Sequence, residues 1–175
     1  MVKKQDKYVL GKESKIAPDG TKLFRLVAGT TFTHKTLGVI KKGSLGGWVE
    51  CLVKKNGDAW VSGNAWVSGN AWVSGDAWVS GDAWVSGDAW VSGDAWVSGD
   101  AQVSGDAQVS GDAWVSGDAL VSGNAWVSGD AQVYGKIKLT SVLCSRFSFE
   151  FDWQVKLWQK KEKEFEAEVK KRSKK

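Results

Sequence analysis

Residues 77–100 read AWVSGD AWVSGD AWVSGD AWVSGD, one hexapeptide four times unchanged. Outward in both directions the same unit fills residues 58–135, thirteen times in all. Ala recurs at every sixth position from Ala59 to Ala131, Val from Val61 to Val133 and Gly from Gly57 to Gly135, without exception. The position after Gly is Asp ten times and Asn three times (Asn64, Asn70, Asn124). Only the position before Val is loose. It holds Trp60, Trp66, Trp72, Trp78, Trp84, Trp90, Trp96, Trp114 and Trp126, and otherwise Gln102, Gln108, Leu120 and Gln132.

Within a unit, Ala-Trp-Val-Ser alternates as a strand does, so Ala and Val share one face while Trp and Ser share the other. Gly accepts positive φ without steric cost and Asp or Asn tolerates the left-handed region, so the Gly-Asp pair is expected to turn a corner. Four strand residues and two corner residues, taken three times, close a triangle of eighteen residues, and successive triangles stack as parallel strands. Three indoles cannot fill so narrow a tube, whereas three Val and three Ala can. The predicted fold is all-β, a single-stranded parallel β-helix with Val and Ala inside and Trp outside. Thirteen units make a little over four coils, roughly 20 Å of solenoid. Near-identical units also make a six-residue slip nearly free, so the ends must set the register.

The unit Val-Ser-Gly-Asp-Ala-Trp resembles the aliphatic-x-x-Asn/Asp-small-x hexapeptide of left-handed parallel β-helix proteins, and a left-handed coil is what that resemblance implies. A second likeness lies upstream. Lys22-Leu-Phe-Arg-Leu-Val-Ala28, Val39-Ile-Lys-Lys-Gly-Ser-Leu-Gly-Gly-Trp-Val-Glu50 and Asn56-Gly-Asp-Ala-Trp-Val61 are similar to the opening of a family of bacterial and phage hexapeptide-repeat proteins commonly labelled acyltransferases. In that family a Gly-Gly-Trp-Val/Ile motif leads through a short acidic linker into the coils; here Lys54 and Lys55 stand in the linker. The likeness spans residues 7–135. It implies an acyl-CoA-dependent transferase of the trimeric type, with a histidine as general base in a cleft between subunits. The chain has one histidine, His34, which precedes the coils, and the coils carry no inserted loop.

Around the repeat, three segments are expected: a β-hairpin cap over residues 1–47, the solenoid over 48–135, and a C-terminal cap strand, charged helix and basic tail over 136–175. Residues 7–11 and 22–28 read as strands joined by an Ala-Pro-Asp-Gly turn at 17–20. Residues 43–47, Gly-Ser-Leu-Gly-Gly, read as a flexible bend, and Trp48, two units in phase before Trp60, marks the start of the first coil. Past Tyr134, residues 136–140 read as a last strand. Strict alternation from Phe147 to Leu157 predicts a half-buried strand, followed by a helix over 159–172. A helix over 152–172 competes with it, because Phe151, Val155, Trp158, Phe165 and Val169 fall at four-three spacing.

The net charge of +4 hides a strong segregation. Residues 1–57 hold twelve bases and four acids, 58–135 hold ten acids and no base, and 136–175 hold twelve bases and six acids. This pattern predicts pairing of the basic ends with the acidic coils, within a chain or between chains, ahead of nucleic-acid binding. The start of the chain lacks the apolar run of a signal peptide and no stretch reaches membrane-spanning length, so a cytoplasmic protein is expected, virion-associated if phage-encoded. Cys51 and Cys144 lack metal-ligand spacing and read as reduced, partly buried thiols.

Two surface features are candidates for function. Residues eighteen apart share a column, so Asp58, Asp76, Asp94, Asp112 and Asp130 form one acidic row, whose like charges favour recruitment of cations, including the chain's own lysines. The outward tryptophans expose more aromatic surface than a soluble monomer usually shows. Three uses are open: self-assembly, with a trimer as one form; binding of a repetitive ligand such as a glycan; and simple bracing of the coils. No catalytic residue, cofactor or metal is expected, and the overall reading is a non-catalytic interaction protein. The acyltransferase stands as its alternative.

Overall fold

The computed structural model describes residues 6–51, 57–140, 143–144, 148–149, 154–157, 160–161 and 164. Two-residue strands, each a Trp-Val pair or its equivalent, recur every six residues and fall into three parallel sheets. Face one carries Trp48, Trp66, Trp84, Gln102, Leu120 and Lys138 in register. Face two carries Trp72, Trp90, Gln108, Trp126 and Leu143. Face three carries Trp60, Trp78, Trp96, Trp114, Gln132 and Ser148. Partners along the repeat are eighteen residues apart, as Trp66 is from Trp84 and Trp90 from Gln108. The all-β solenoid expected from the repeat is therefore present.

Every Ala and Val of the repeat lies inside, each at 0–1% exposure. The ladder is that of parallel strands: the Trp78 and Ser80 N–H groups donate forward to Ala95 O and Val97 O of the next coil, both at 2.9 Å, while the parallel pairing of Val79 with Val97 has the Val97 N–H donating back to the earlier coil. At the corners, Ala N–H groups reach back to Ser carbonyls at 3.3–3.4 Å, closing Ser-Gly-Asp-Ala turns. Gly takes positive φ there, and no other residue type does. Asp and Asn therefore do not use the left-handed region expected of them; the φ pattern is that of a type II′ turn, which asks it of its first central residue alone. Glycine is needed for a second reason. A Cβ on Gly93, at φ +70°, would lie 2.9 Å from the Gly111 nitrogen in the next coil.

The N-terminal cap is more ordered than its sequence implied. Strand β1 (Tyr8–Ile16) pairs antiparallel with β2 (Lys22–Ala28), and β2 with β5 (Leu45–Val49), whose Trp48 and Val49 then pair parallel with Trp66 and Val67. The first coil does begin by Trp48. Between them β3 (Phe32–His34) and β4 (Gly38–Ile40) form a small hairpin. The expected bend at residues 43–47 is a correction: Gly46 and Gly47 are buried strand residues. A Cβ on either would strike the Val61 or Ala65 carbonyl at 2.6 and 2.5 Å, so glycine here is required by close packing on the first coil and not by flexibility.

The cap also satisfies the open edge of the solenoid. Because the first coil has no rung before it, the carbonyls that an earlier strand's N–H groups would meet lie open at its edge, a situation a buried edge cannot leave uncorrected. Tyr8 Oη donates to Ala59 O at 2.8 Å, Lys7 Nζ to Gly57 O at 3.0 Å and Arg25 Nη1 to Gly63 O at 3.2 Å. On face one, the Trp48 and Glu50 N–H groups donate to Ala65 O and Val67 O.

At the other end the coil continues beyond residue 135. Ile137 and Leu139 occupy the Ala and Val columns, fully buried, and strands Lys138–Leu139, Leu143–Cys144 and Ser148–Phe149 pair with the rungs at 120, 126 and 132. Its two later corners are each one residue short, since Leu143 follows Trp126 by seventeen residues and Ser148 follows Gln132 by sixteen. Residues 154–157 are helical, which overturns the strand expected to run to 157 and agrees with the competing helix. Val155 is buried against the solenoid core while Leu157 is exposed; a strand places both on one face, a helix does not. Lys54, Lys55, Trp153 and the tail from residue 165 lie outside the described residues. Cys51 is a free thiol as expected, but it is exposed and not partly buried.

Candidate interaction surface

The site begins with the outward column. A rung spacing of about 4.8 Å is close to the stacking distance of flat rings, so indoles at equivalent positions in consecutive coils meet face to face. On face three Trp78 and Trp96 have centroids 4.7 Å apart and planes 15° apart, and Trp96 and Trp114 are 4.9 Å and 4° apart. Trp66 and Trp84 on face one are 4.9 Å apart but tilted by 47°, and Trp72 and Trp90 on face two are 5.8 Å apart at 31°. Four of the rings lean over the preceding coil and donate Nε1 to its serine: Trp78 to Ser62 at 2.8 Å, Trp96 to Ser80 at 3.3 Å, Trp126 to Ser110 at 3.4 Å and Trp114 to Ser98 at 3.5 Å. The serine column thus has a role that the sequence reading missed. Its signal was present, since Ser shares the outward face with Trp at a fixed offset of sixteen. Trp72 and Trp84 differ, each with a buried Nε1 that meets no protein acceptor.

The nine tryptophans are not equally available. Trp60, expected on the outer surface, is 4% exposed because Tyr8 and Phe32 close over it, with ring centroids at 6.2 and 5.8 Å. Trp66, Trp72, Trp78, Trp84 and Trp96 are half-buried by their neighbours. Trp90, Trp114 and Trp126 are 46%, 40% and 47% exposed.

The acidic row meets the cap at several points. Lys7 pairs with Asp58 and Lys35 with Asp94, and Asp76 lies near enough to act on Lys7, Tyr8 and His34. Burial pushes the Lys7 ammonium down, with Asp76 partly opposing it, and burial together with Asp76 pushes the Tyr8 hydroxyl up. The hydrogen bond and charge of Asp94 push Lys35 up. Asp112 and Asp130 are exposed. On face one, Lys15 Nζ sits 4.6 Å from the Trp48 ring centre and 5.4 Å from that of Trp66, with the Arg25 guanidinium 4.7 Å from Trp48. Cations recruited to the acidic, aromatic coils are thus supplied by the chain itself. In a different corner row, Asn70 Nδ2 donates to Asp88 Oδ1 of the next coil at 3.1 Å.

His34 has no solvent exposure. Its Nδ1 accepts from the Thr36 and Leu37 N–H groups at 3.1 and 3.3 Å, which places the proton on Nε2. Nε2 is turned toward the Ala77 carbonyl without the alignment of a full hydrogen bond. Burial holds this imidazole below its ordinary range, against the opposing pull of Asp76 and Asp94. Among the described residues no three His, Cys, Asp or Glu side chains are grouped to hold a metal ion, and no helix is long and apolar enough to cross a membrane.

This geometry defines a β-solenoid repeat protein, in which each hexapeptide is one side of a coil. The model of the YdcK β-solenoid repeat matches the chain at residues 59–75, 65–81, 101–117, 107–123 and 113–129, windows that each open on an alanine of the repeat. None of the curated proteins compared with the chain matches it.

Proposed function

We propose that this chain is a non-catalytic structural solenoid that assembles with copies of itself through its outward tryptophans. The observation that carries the reading is the set Trp90, Trp114 and Trp126, large apolar rings left 40–47% exposed on a prism whose Ala and Val columns are enclosed. Aromatic residues fixed in place lose little side-chain entropy on association, and exposed apolar patches of this kind mark interaction surfaces. A trimer or another closed form uses the three-sided prism economically, each contact being made by the same columns.

The acyl-CoA-dependent acyltransferase remains the competing reading, and the burial of His34 speaks against it. A general base has to reach the substrate hydroxyl, and this ring is sealed beneath the cap with its acceptor nitrogen committed to two backbone donors. Calorimetry with coenzyme A is expected to show no heat of binding.

Assembly is tested by replacing Trp90, Trp114 and Trp126 with Gln, a residue the same column already carries at Gln102, Gln108 and Gln132. The variant is expected to fold and to show a smaller mass than the parent in light scattering. An unchanged mass counts against the proposal.

A further inference from the structure

Face two differs from the other faces in one respect: its column reads Trp72, Trp90, Gln108, Trp126, so a glutamine rung lies between two tryptophan rungs. Face three shows what a filled column looks like, with Trp96 stacked between Trp78 and Trp114 at 4.7 and 4.9 Å. Trp90 and Trp126 stand in register two rungs apart, about 9.6 Å, which leaves space for one flat group at stacking distance from both. Both indoles are nearly half exposed, Gln108 is exposed, and Trp126 is held by its bond to Ser110 on the Gln108 rung. The floor of this slot is an amide, and exposed carboxylates mark its two ends, Asp106 at the corner before Gln108 and Asp112 at the corner after it.

We propose that Trp90, Gln108 and Trp126 form a binding slot for a planar cation, the guanidinium of an arginine side chain on a partner polypeptide. A guanidinium is flat enough to fill the missing layer, positive enough to be drawn to two indole faces and two carboxylates, and able to donate to the Gln108 carbonyl oxygen in its own plane. The chain already shows this chemistry on face one, where the Arg25 guanidinium lies over Trp48 and donates to Gly63 O. Cap cations already use part of this surface: Lys15 and Arg25 lie over face one, while Lys7 and Lys35 meet the corner row shared by faces two and three, where Lys35 pairs with Asp94 and also feels the charge of Asp112. The partner's arginine takes on face two the part that Arg25 takes on face one. The proposal rests on the outward indoles being an interaction surface but not on self-assembly, because the slot is complete within one chain.

The test is titration of the full chain with an acetylated, amidated Gly-Arg-Gly peptide, read by tryptophan fluorescence and calorimetry, beside peptides with lysine or citrulline in place of arginine. Lysine keeps the charge without the plane, and citrulline keeps the plane without the charge. The arginine peptide is expected to saturate and to bind at least tenfold more tightly than either. Gln108→Trp fills the slot and is expected to abolish binding without loss of fold, while Trp126→Gln weakens it at least tenfold. Equal binding of the citrulline peptide, unchanged binding to Gln108→Trp, or no saturable binding would overturn the proposal. So would a neutral oligosaccharide such as cellotetraose occupying the same slot.

Discussion

The indole of Trp96 lies on that of Trp114 with centroids 4.9 Å apart and planes within 4°, and Trp78 covers its other side at 4.7 Å. An alternating strand pattern sets this relationship, because rung spacing and ring stacking distance nearly coincide. Removing the middle ring removes both contacts. Trp96→Gln is expected to destabilise the chain by about 1–3 kcal/mol, two contacts of roughly 0.5–1.5 kcal/mol each, measured by urea denaturation. Trp126→Gln, which stacks on no other ring, is expected to cost clearly less.

Serine at the offset of sixteen gives a finer test. Ser62→Ala removes the acceptor of the Trp78 Nε1 bond at 2.8 Å and is expected to cost about 1 kcal/mol in the same assay. Ser92→Ala, on face two, lies sixteen residues before Gln108 and not before a tryptophan, and should be near neutral.

The corners are the least tolerant positions. Gly93→Ala places a Cβ at φ +70° and 2.9 Å from the Gly111 nitrogen. The left-handed backbone alone costs about 1–2 kcal/mol, and the backbone contact adds to it. The neighbouring Asp100→Asn, at an exposed corner, is expected to change the urea midpoint little, as the three natural asparagines in this column indicate.

His34 makes the docking of the cap depend on pH. Its folded pKa lies below the unfolded value of 6.5, chiefly through burial, so between the two the unfolded chain binds more protons than the folded one. Stability is unaffected above pH 6.5, falls as pH drops below it, and levels once the folded ring also protonates. As the chain has one histidine, its imidazole resonance can be followed directly by NMR, and a midpoint below 6.5 is expected. A midpoint at or above that value would show that Asp76 and Asp94 outweigh burial.

Tyr8 tests the edge-capping role of the N-terminal segment. Tyr8→Phe keeps the ring against Phe32 and Trp60 but deprives the Ala59 carbonyl of its buried donor. A loss of about 1–3 kcal/mol is expected in urea denaturation, with hydrogen exchange rising first in the first coil.

The coils were legible in the sequence because three invariant columns over thirteen units leave one consistent placement: Val and Ala fit inside and Trp does not. The corner was half legible; Gly was read correctly, whereas Asp has ordinary φ and serves in ion pairs. The ends were harder. Gly46 and Gly47 look like a bend until the Val61 and Ala65 carbonyls beside them are known. The last coil keeps the pattern in Ile137 and Leu139 but shortens two corners, so a fixed period of six loses it. Alternation near residue 155 matched both periods, and burial of Val155 without Leu157 decides for the helix. For the surface, the columns could be counted in advance. Their occupation could not: the cap's Tyr8 and Phe32, distant in sequence, remove Trp60 from the exterior.

Sedimentation velocity of the unaltered chain over a wide concentration range addresses self-assembly through the outward indoles most directly, with acrylamide quenching of tryptophan fluorescence followed on the same samples. A mass that is a multiple of 19.0 kDa is expected, with quenching falling as the assembly forms. A species of 19.0 kDa at every concentration, with quenching unchanged, would contradict it.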